Sequence, residues 1–125
     1  MTDEEKKLII ELQSVLTPDL VPTEFRRHPE NPMFGQCYGA AEALYRLLGG
    51  KDRGYKAQRA VDDENTSHWW VLSPNGDILD PTSAQYTGLG KTPPYVKGKG
   101  ASFRRVSNRA ATIMERVKSK RERVL

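Results

Sequence analysis

A chain of 125 residues has room for one hydrophobic core, so a single domain over 1–125 is expected. Apolar residues make up 37% and charged residues 29%, a balance that sets disorder aside, and no apolar run approaches the roughly 18–20 residues of a membrane-spanning helix. The formal charge is +4, but Lys91 to Leu125 holds eleven Lys and Arg against two Glu, which leaves the first ninety residues net acidic.

The opening Met1-Thr2-Asp3-Glu4-Glu5 is acidic where a secretion signal would be basic and then apolar. A lone cysteine cannot close an intramolecular disulfide, and together these features lead to the expectation of a cytoplasmic protein. Thr2 and Glu5 have the spacing of a capping box. Leu8, Ile9, Leu12, Val15 and Leu16 then form one helical stripe, which Pro18 forbids from continuing. Pro22, Pro29 and Pro32 mark Leu20 to Phe34 as irregular. A second helix is predicted from Gln36 or Cys37 to Leu48. Ala40, Ala41, Leu44, Leu47 and Leu48 form its buried face, Gly49-Gly50 stop it, and its two alanines are small enough for a sheet to approach.

Tyr55 to Val61 is predicted as a strand with weak alternation, and Asp62-Asp63-Glu64-Asn65 as a polar turn. An aromatic strand, Thr66 to Leu72, and its partner, Asp77 to Asp80, flank Ser73-Pro74-Asn75-Gly76, whose Pro and Gly stand where a type I turn with a Gly bulge wants them. After Tyr86 a loop rich in Gly, Pro and Lys is expected as far as Phe103. Ser107 then caps a last helix, about 107–123, with Ala110, Ile113, Met114 and Val117 inward and Arg109, Arg116 and Lys120 outward. Helices followed by an antiparallel sheet and a closing helix make an α+β layout.

Three features carry chemistry. Gly35-Gln36-Cys37 places the cysteine at the first turn of a helix, where unpaired N–H groups and the helix dipole favour a thiolate and can steady an oxyanion; the competing reading is a small buried hydrophobe. His68 opens an aromatic strand. If Ser73 and Asp77 close the hairpin, Leu72 faces Ile78, Trp70 faces Asp80, and His68 faces Thr82. Asp80 and His68 then lie on one face as diagonal neighbours, about 7 Å apart at Cβ. An aspartate there orients an imidazole and stabilises its charged form; taken alone, Asp80-Pro81 is a strand-ending turn.

The set Gly35-Gln36-Cys37-Tyr38, Ser67-His68-Trp69-Trp70-Val71 and Leu79-Asp80-Pro81-Thr82 resembles the transglutaminase-like (papain-like cysteine) superfamily in residue types, order and spacing, over about Phe34 to Gln85. The whole chain is also similar to short proteins of bacteria and tailed phages. The resemblance implies a minimal papain-like core (about 34–86), in which a helix carrying the Cys packs on a small antiparallel sheet carrying the His and Asp. It also implies Cys37, His68 and Asp80 as a triad. Peptidases, deamidases, peptide N-glycanases and transglutaminases share that core, and the fold does not choose among them. Tyr38 stands where the large transglutaminases have Trp, and no Trp precedes Cys37, so Gln36 and the Cys37 amide become the candidate oxyanion donors. Tyr38, Trp70 and Tyr95 complete the substrate candidates. Trp70 is assigned to the His68 side of the strand, and Tyr95 to a loop that covers the cleft or binds anions.

The function expected is acyl transfer through a thioacyl intermediate, with a peptide or protein of some acidic character as substrate. No cofactor is expected, and one Cys and two His supply no zinc set; His28, beside Arg26 and Arg27, is taken as a surface residue. The alternative is a catalytically inert binding or host-modulating module that uses the same cleft and the basic C-terminal surface. Nucleic acid is a conceivable partner for that surface but is not favoured over a solvated helix face, and no membrane partner is expected.

Overall fold

The computed structural model describes residues 1–21 and 36–124; the expectations for Pro22 to Gly35, including His28 and its arginines, lie outside the described residues. Those residues form a mixed α+β fold: helices α1 (Asp3–Gln13), α2 (Cys37–Leu47), α3 (Ala84–Thr87) and α4 (Asn108–Val124), with strands β1 (Lys56–Val61), β2 (Ser67–Leu72), β3 (Ile78–Leu79) and β4 (Lys99–Ala101). The strands make one antiparallel sheet in the order β3-β2-β1-β4. Among the described residues no helix is long and apolar enough to cross a membrane.

The capping box forms as expected: Glu5 N–H donates to Thr2 Oγ1 at 3.1 Å, and Thr2 N–H donates to Glu5 Oε1 at 2.8 Å. Glu5 is nonetheless buried, because its other oxygen accepts the Tyr55 hydroxyl at 2.7 Å and so ties α1 to the start of β1. Burial and this carboxylate push the Tyr55 phenol up to about 12. α2 ends at Leu47, and the chain leaves it through Gly49 with φ 99°, a left-handed conformation that favours glycine.

One face of the sheet, with Ala57, Val71 and Leu79, packs on α2, and α2 is covered in turn by α1 and α4. Leu8, Leu12, Ala40, Ala41, Leu44, Ile113 and Val117 share that core. Gly39 permits the α2–α4 contact, since a β-carbon on it would meet Arg109 Cβ at 3.2 Å and Ile113 Cδ1 at 3.4 Å. The opposite face, with Ala60, His68 and Trp70, is covered by the stretch from α3 to Gly98. β1 buries Ala57 on one face and Ala60 on the other while Lys56, Arg59 and Val61 stay exposed, which is why its sequence alternates weakly.

The stretch after Tyr86 differs from the loop expected there. It makes a short 3-10 turn (Tyr95–Lys97) and then β4, which pairs with β1 from Ala57↔Ala101 to Arg59↔Lys99. α4 docks by Ala110, Ile113 and Val117 with Ser107 Oγ capping the Ala110 amide at 3.1 Å. Its cations are less free than the expectation of an outward Arg116 and Lys120. Arg116 donates to Val15 O (3.2 Å), Thr17 Oγ1 (2.6 Å) and Asp19 Oδ2 (3.0 Å), Lys120 to Ser14, and Arg121 to both oxygens of Glu11. The acidic first ninety residues and the basic remainder thus meet along α1.

Candidate active site

Cys37 is the first residue of α2, preceded by Gln36 in a helical conformation with no side-chain cap. The amides of the first turn are thus left without the usual capping oxygen. Cys37 Sγ lies 3.6 Å from Ser67 O, the carbonyl it donates to. The strand pattern accounts for that approach. Asp62 N–H bonds Thr66 O across the β1–β2 turn, and bonded and non-bonded pairs alternate, so the Ser67 carbonyl points away from β1. β3 is two residues long and stops at Leu79, well short of Ser67. The start of α2 fills the edge that β3 leaves open.

The hairpin closes in the expected register. Ser73 N–H donates to Asp77 O at 2.9 Å, Gly76 (φ 86°) takes the left-handed position, and Leu72 pairs with Ile78 and Val71 with Leu79. One step further, Asp80 leaves the ladder opposite Trp70 with its carboxylate reaching diagonally to His68. His68 Nε2 and Asp80 Oδ2 are 2.6 Å apart; His68 is fully buried, and the Asp80 side chain is 3% exposed. Asp80 Oδ1 accepts the Thr82 amide (3.1 Å) and hydroxyl (3.3 Å), the local bond that Asp favours at a strand end, and Oδ2 also accepts the Tyr95 hydroxyl at 2.7 Å.

Burial alone would lower the basicity of His68. The hydrogen bond with Asp80 and the negative charge of that carboxylate, with Cys37 close enough to act in the same direction, outweigh burial and raise its pKa to about 9. Nε2 is committed to Asp80, and Nδ1 meets no acceptor at hydrogen-bond geometry among the described residues. Nδ1 is therefore the nitrogen left for sulfur. A thiol, an imidazole and a buried carboxylate in series can pass a proton from sulfur to nitrogen and hold the resulting charge.

Comparison of the chain with models of protein families, with curated proteins and with solved structures gives no match.

The remaining sequence candidates divide. Gln36 is buried and its Nε2 donates to Thr17 O at 2.9 Å, which leaves one amide hydrogen uncommitted to that bond. Tyr38 is not brought to His68; it meets Trp69 (4.8 Å) and Phe103 (5.5 Å) edge to face on the helix side of the sheet. Trp70 shares the His68 face, as its register implies, but at 2% exposure it is a wall behind the imidazole, stacked at 5.6 Å, rather than the lining of an open cleft. Tyr95 reaches the site through Asp80.

Two contributors were missed by sequence reasoning. Tyr86 stands edge-on to the His68 ring at 4.8 Å and donates its hydroxyl to Asp62 Oδ2 at 2.8 Å; burial and Asp62 raise its pKa. Thr82 supplies both donors to Asp80 Oδ1, a role legible only in the Asp-Pro-Thr spacing. Tyr86 also walls an open cavity of about 330 Å³ bordered by Asp62, Asp63 and Glu64. Beside it, Lys91 and Lys97 form ion pairs with Glu64 and Asp63.

Proposed function

We propose that the chain is a cysteine-dependent acyl-transfer enzyme of the transglutaminase-like (papain-like) type, working through Cys37, His68 and Asp80. The observation that carries this reading is a fully buried imidazole whose Nε2 is held by Asp80 at 2.6 Å and whose Nδ1 has no partner among the described residues, beside a cysteine at the first turn of α2 that bonds the carbonyl of Ser67, the residue before His68. In the first half-reaction the Cys37 thiol proton passes to His68 and sulfur bonds to the carbonyl carbon of an amide or ester. The bond from that carbon to nitrogen or oxygen breaks, and the leaving group takes the proton from His68. A thioester remains on Cys37. In the second half water or an amine gives a proton to His68 and attacks the thioester, and sulfur departs and is reprotonated. The first-turn amides of α2 supply donors for the oxyanion, with the second amide hydrogen of Gln36 beside them.

A binding role for the basic C-terminal third has less to recommend it, since Arg116, Lys120 and Arg121 are engaged with α1 and the residues after it. The test is p-nitrophenyl acetate as acyl donor, read by mass spectrometry on the intact protein. The acetyl mass is expected on the native chain and absent from Cys37→Ala, with acylation slowed by at least about 100-fold in His68→Ala. Acylation at the same rate in His68→Ala, or none on the native chain, removes the proposal.

A further inference from the structure

Asp80 Oδ2 serves two donors at once, His68 Nε2 at 2.6 Å and Tyr95 Oη at 2.7 Å. A carboxylate oxygen bonded by the imidazole alone directs its charge at that ring. A second O–H donor draws part of the charge away and fixes the oxygen in place. Tyr95 is brought there by its own segment. The turn Tyr95–Lys97 is followed by Gly98 in close contact with the Trp70 indole, and the Tyr95 ring stands edge-on to Trp70 at 5.2 Å. Ion pairs of Lys91 with Glu64 and of Lys97 with Asp63 hold the segment to the β1–β2 turn.

We propose that Tyr95 is a positioning residue for the His68–Asp80 pair: its hydroxyl fixes Asp80 Oδ2 against the imidazole and limits how strongly Asp80 retains a proton on His68. The meaning of this for catalysis rests on the acyl-transfer reading. There His68 accepts a proton and returns it in each half-reaction, and an imidazole held too firmly in its charged form returns it poorly. Among the described residues, the groups that face His68 are Asp80 beyond β3, Cys37 on α2, Tyr86 on α3 with Asp62 behind it, and Tyr95. Of the two tyrosines, only Tyr95 donates its hydroxyl to Asp80, and Phe removes that donor while leaving the ring in place.

The experiment follows the His68 imidazole by ¹⁵N NMR titration in the native chain, Tyr95→Phe, Asp80→Asn and the double variant, with the pH dependence of Cys37 alkylation by iodoacetamide measured in parallel. Tyr95→Phe is expected to move the His68 midpoint upward by about half a pH unit or more, and the alkylation profile with it. In the Asp80→Asn background the same substitution should move neither. A midpoint unmoved by Tyr95→Phe, or moved equally with and without Asp80, overturns the proposal. In the native chain the Tyr95 ¹³Cζ resonance should show no ionisation up to about pH 11. Ionisation at the ordinary phenol value of about 10 overturns the proposal even if the variant does not fold. An Asp80-dependent shift of His68 with an inert Cys37 leaves Tyr95 in its role and removes the acyl-transfer reading. A reactive Cys37 with no such shift removes Tyr95 alone.

Discussion

Gly98 stands so close to Trp70 that a β-carbon added to it would meet Cζ2 of the indole at 2.6 Å and Cη2 at 3.1 Å. The φ of Gly98 is −61°, so the constraint is space and not backbone conformation. Trp70 cannot yield easily, being 2% exposed and stacked on His68. Gly98→Ala is expected to cost about 1–3 kcal/mol by overpacking and to slow Cys37 alkylation as Trp70 presses on the imidazole. Gly100→Ala, two residues on and with nothing within 4 Å of the new carbon, should stay within about 0.5 kcal/mol of the native chain. Urea unfolding of both variants checks this; equal losses would mean that β4 and not the indole limits the site.

The raised basicity of His68 makes folding stability depend on pH. A histidine whose pKa rises from 6.5 to about 9 on folding binds its proton more tightly in the native state, so its contribution is complete below about pH 6.5 and is lost as pH rises through about 9. The contribution is on the order of a few kcal/mol. Native-minus-Asp80→Asn unfolding free energy, measured in urea from pH 6 to 10, should shrink across that window. A difference independent of pH would show that Asp80 does not stabilise a charged His68.

Arg116 reaches from α4 to Val15 O, Thr17 Oγ1 and Asp19 Oδ2. Asp19 is mostly exposed and its ion pair is worth little, so the bonds to the carbonyl and the hydroxyl should dominate. Arg116→Met is expected to lose about 1 kcal/mol, and Arg116→Lys to recover only part of it, because an ammonium cannot span three acceptors in a fork. Because Thr17 O also accepts Gln36 Nε2, the same variants should alter the pH profile or rate of Cys37 alkylation. Full alkylation in Arg116→Met with the stability loss would confine Arg116 to holding the helix.

The hairpin register was legible because turn chemistry decides it. Pro74 and Gly76 fix where Ser73 meets Asp77, and counting back from there places Asp80 beside His68 without tertiary information. The capping box and the stripe of α4 were legible for the same local reason. Other features depend on contacts made far along the chain. Lys99–Ala101 has no alternation and is a strand only because β1 offers it a partner. The burial of Trp70 could not be read from β2, since alternation tells which residues share a face and not whether that face is covered. The Tyr95–Asp80 bond crosses an irregular segment with no period at all. The outward assignment of Arg116 had its helix face right but could not anticipate that residues 15–19 run alongside it.

Glu42, fully buried on α2, takes its bonds from Arg46 and from the backbone amide of Ser107, 65 positions further on. Gly39 in the same helix waits for Arg109 and Ile113. Synthesis runs from the N-terminus, so the helix that begins at Cys37 is made well before the residues that cover its far side. In a nascent or prematurely ended chain its carboxylate and its small-residue face are open to water and to other chains. The helix that carries the thiol is packed on all its sides only when the ribosome has delivered α4.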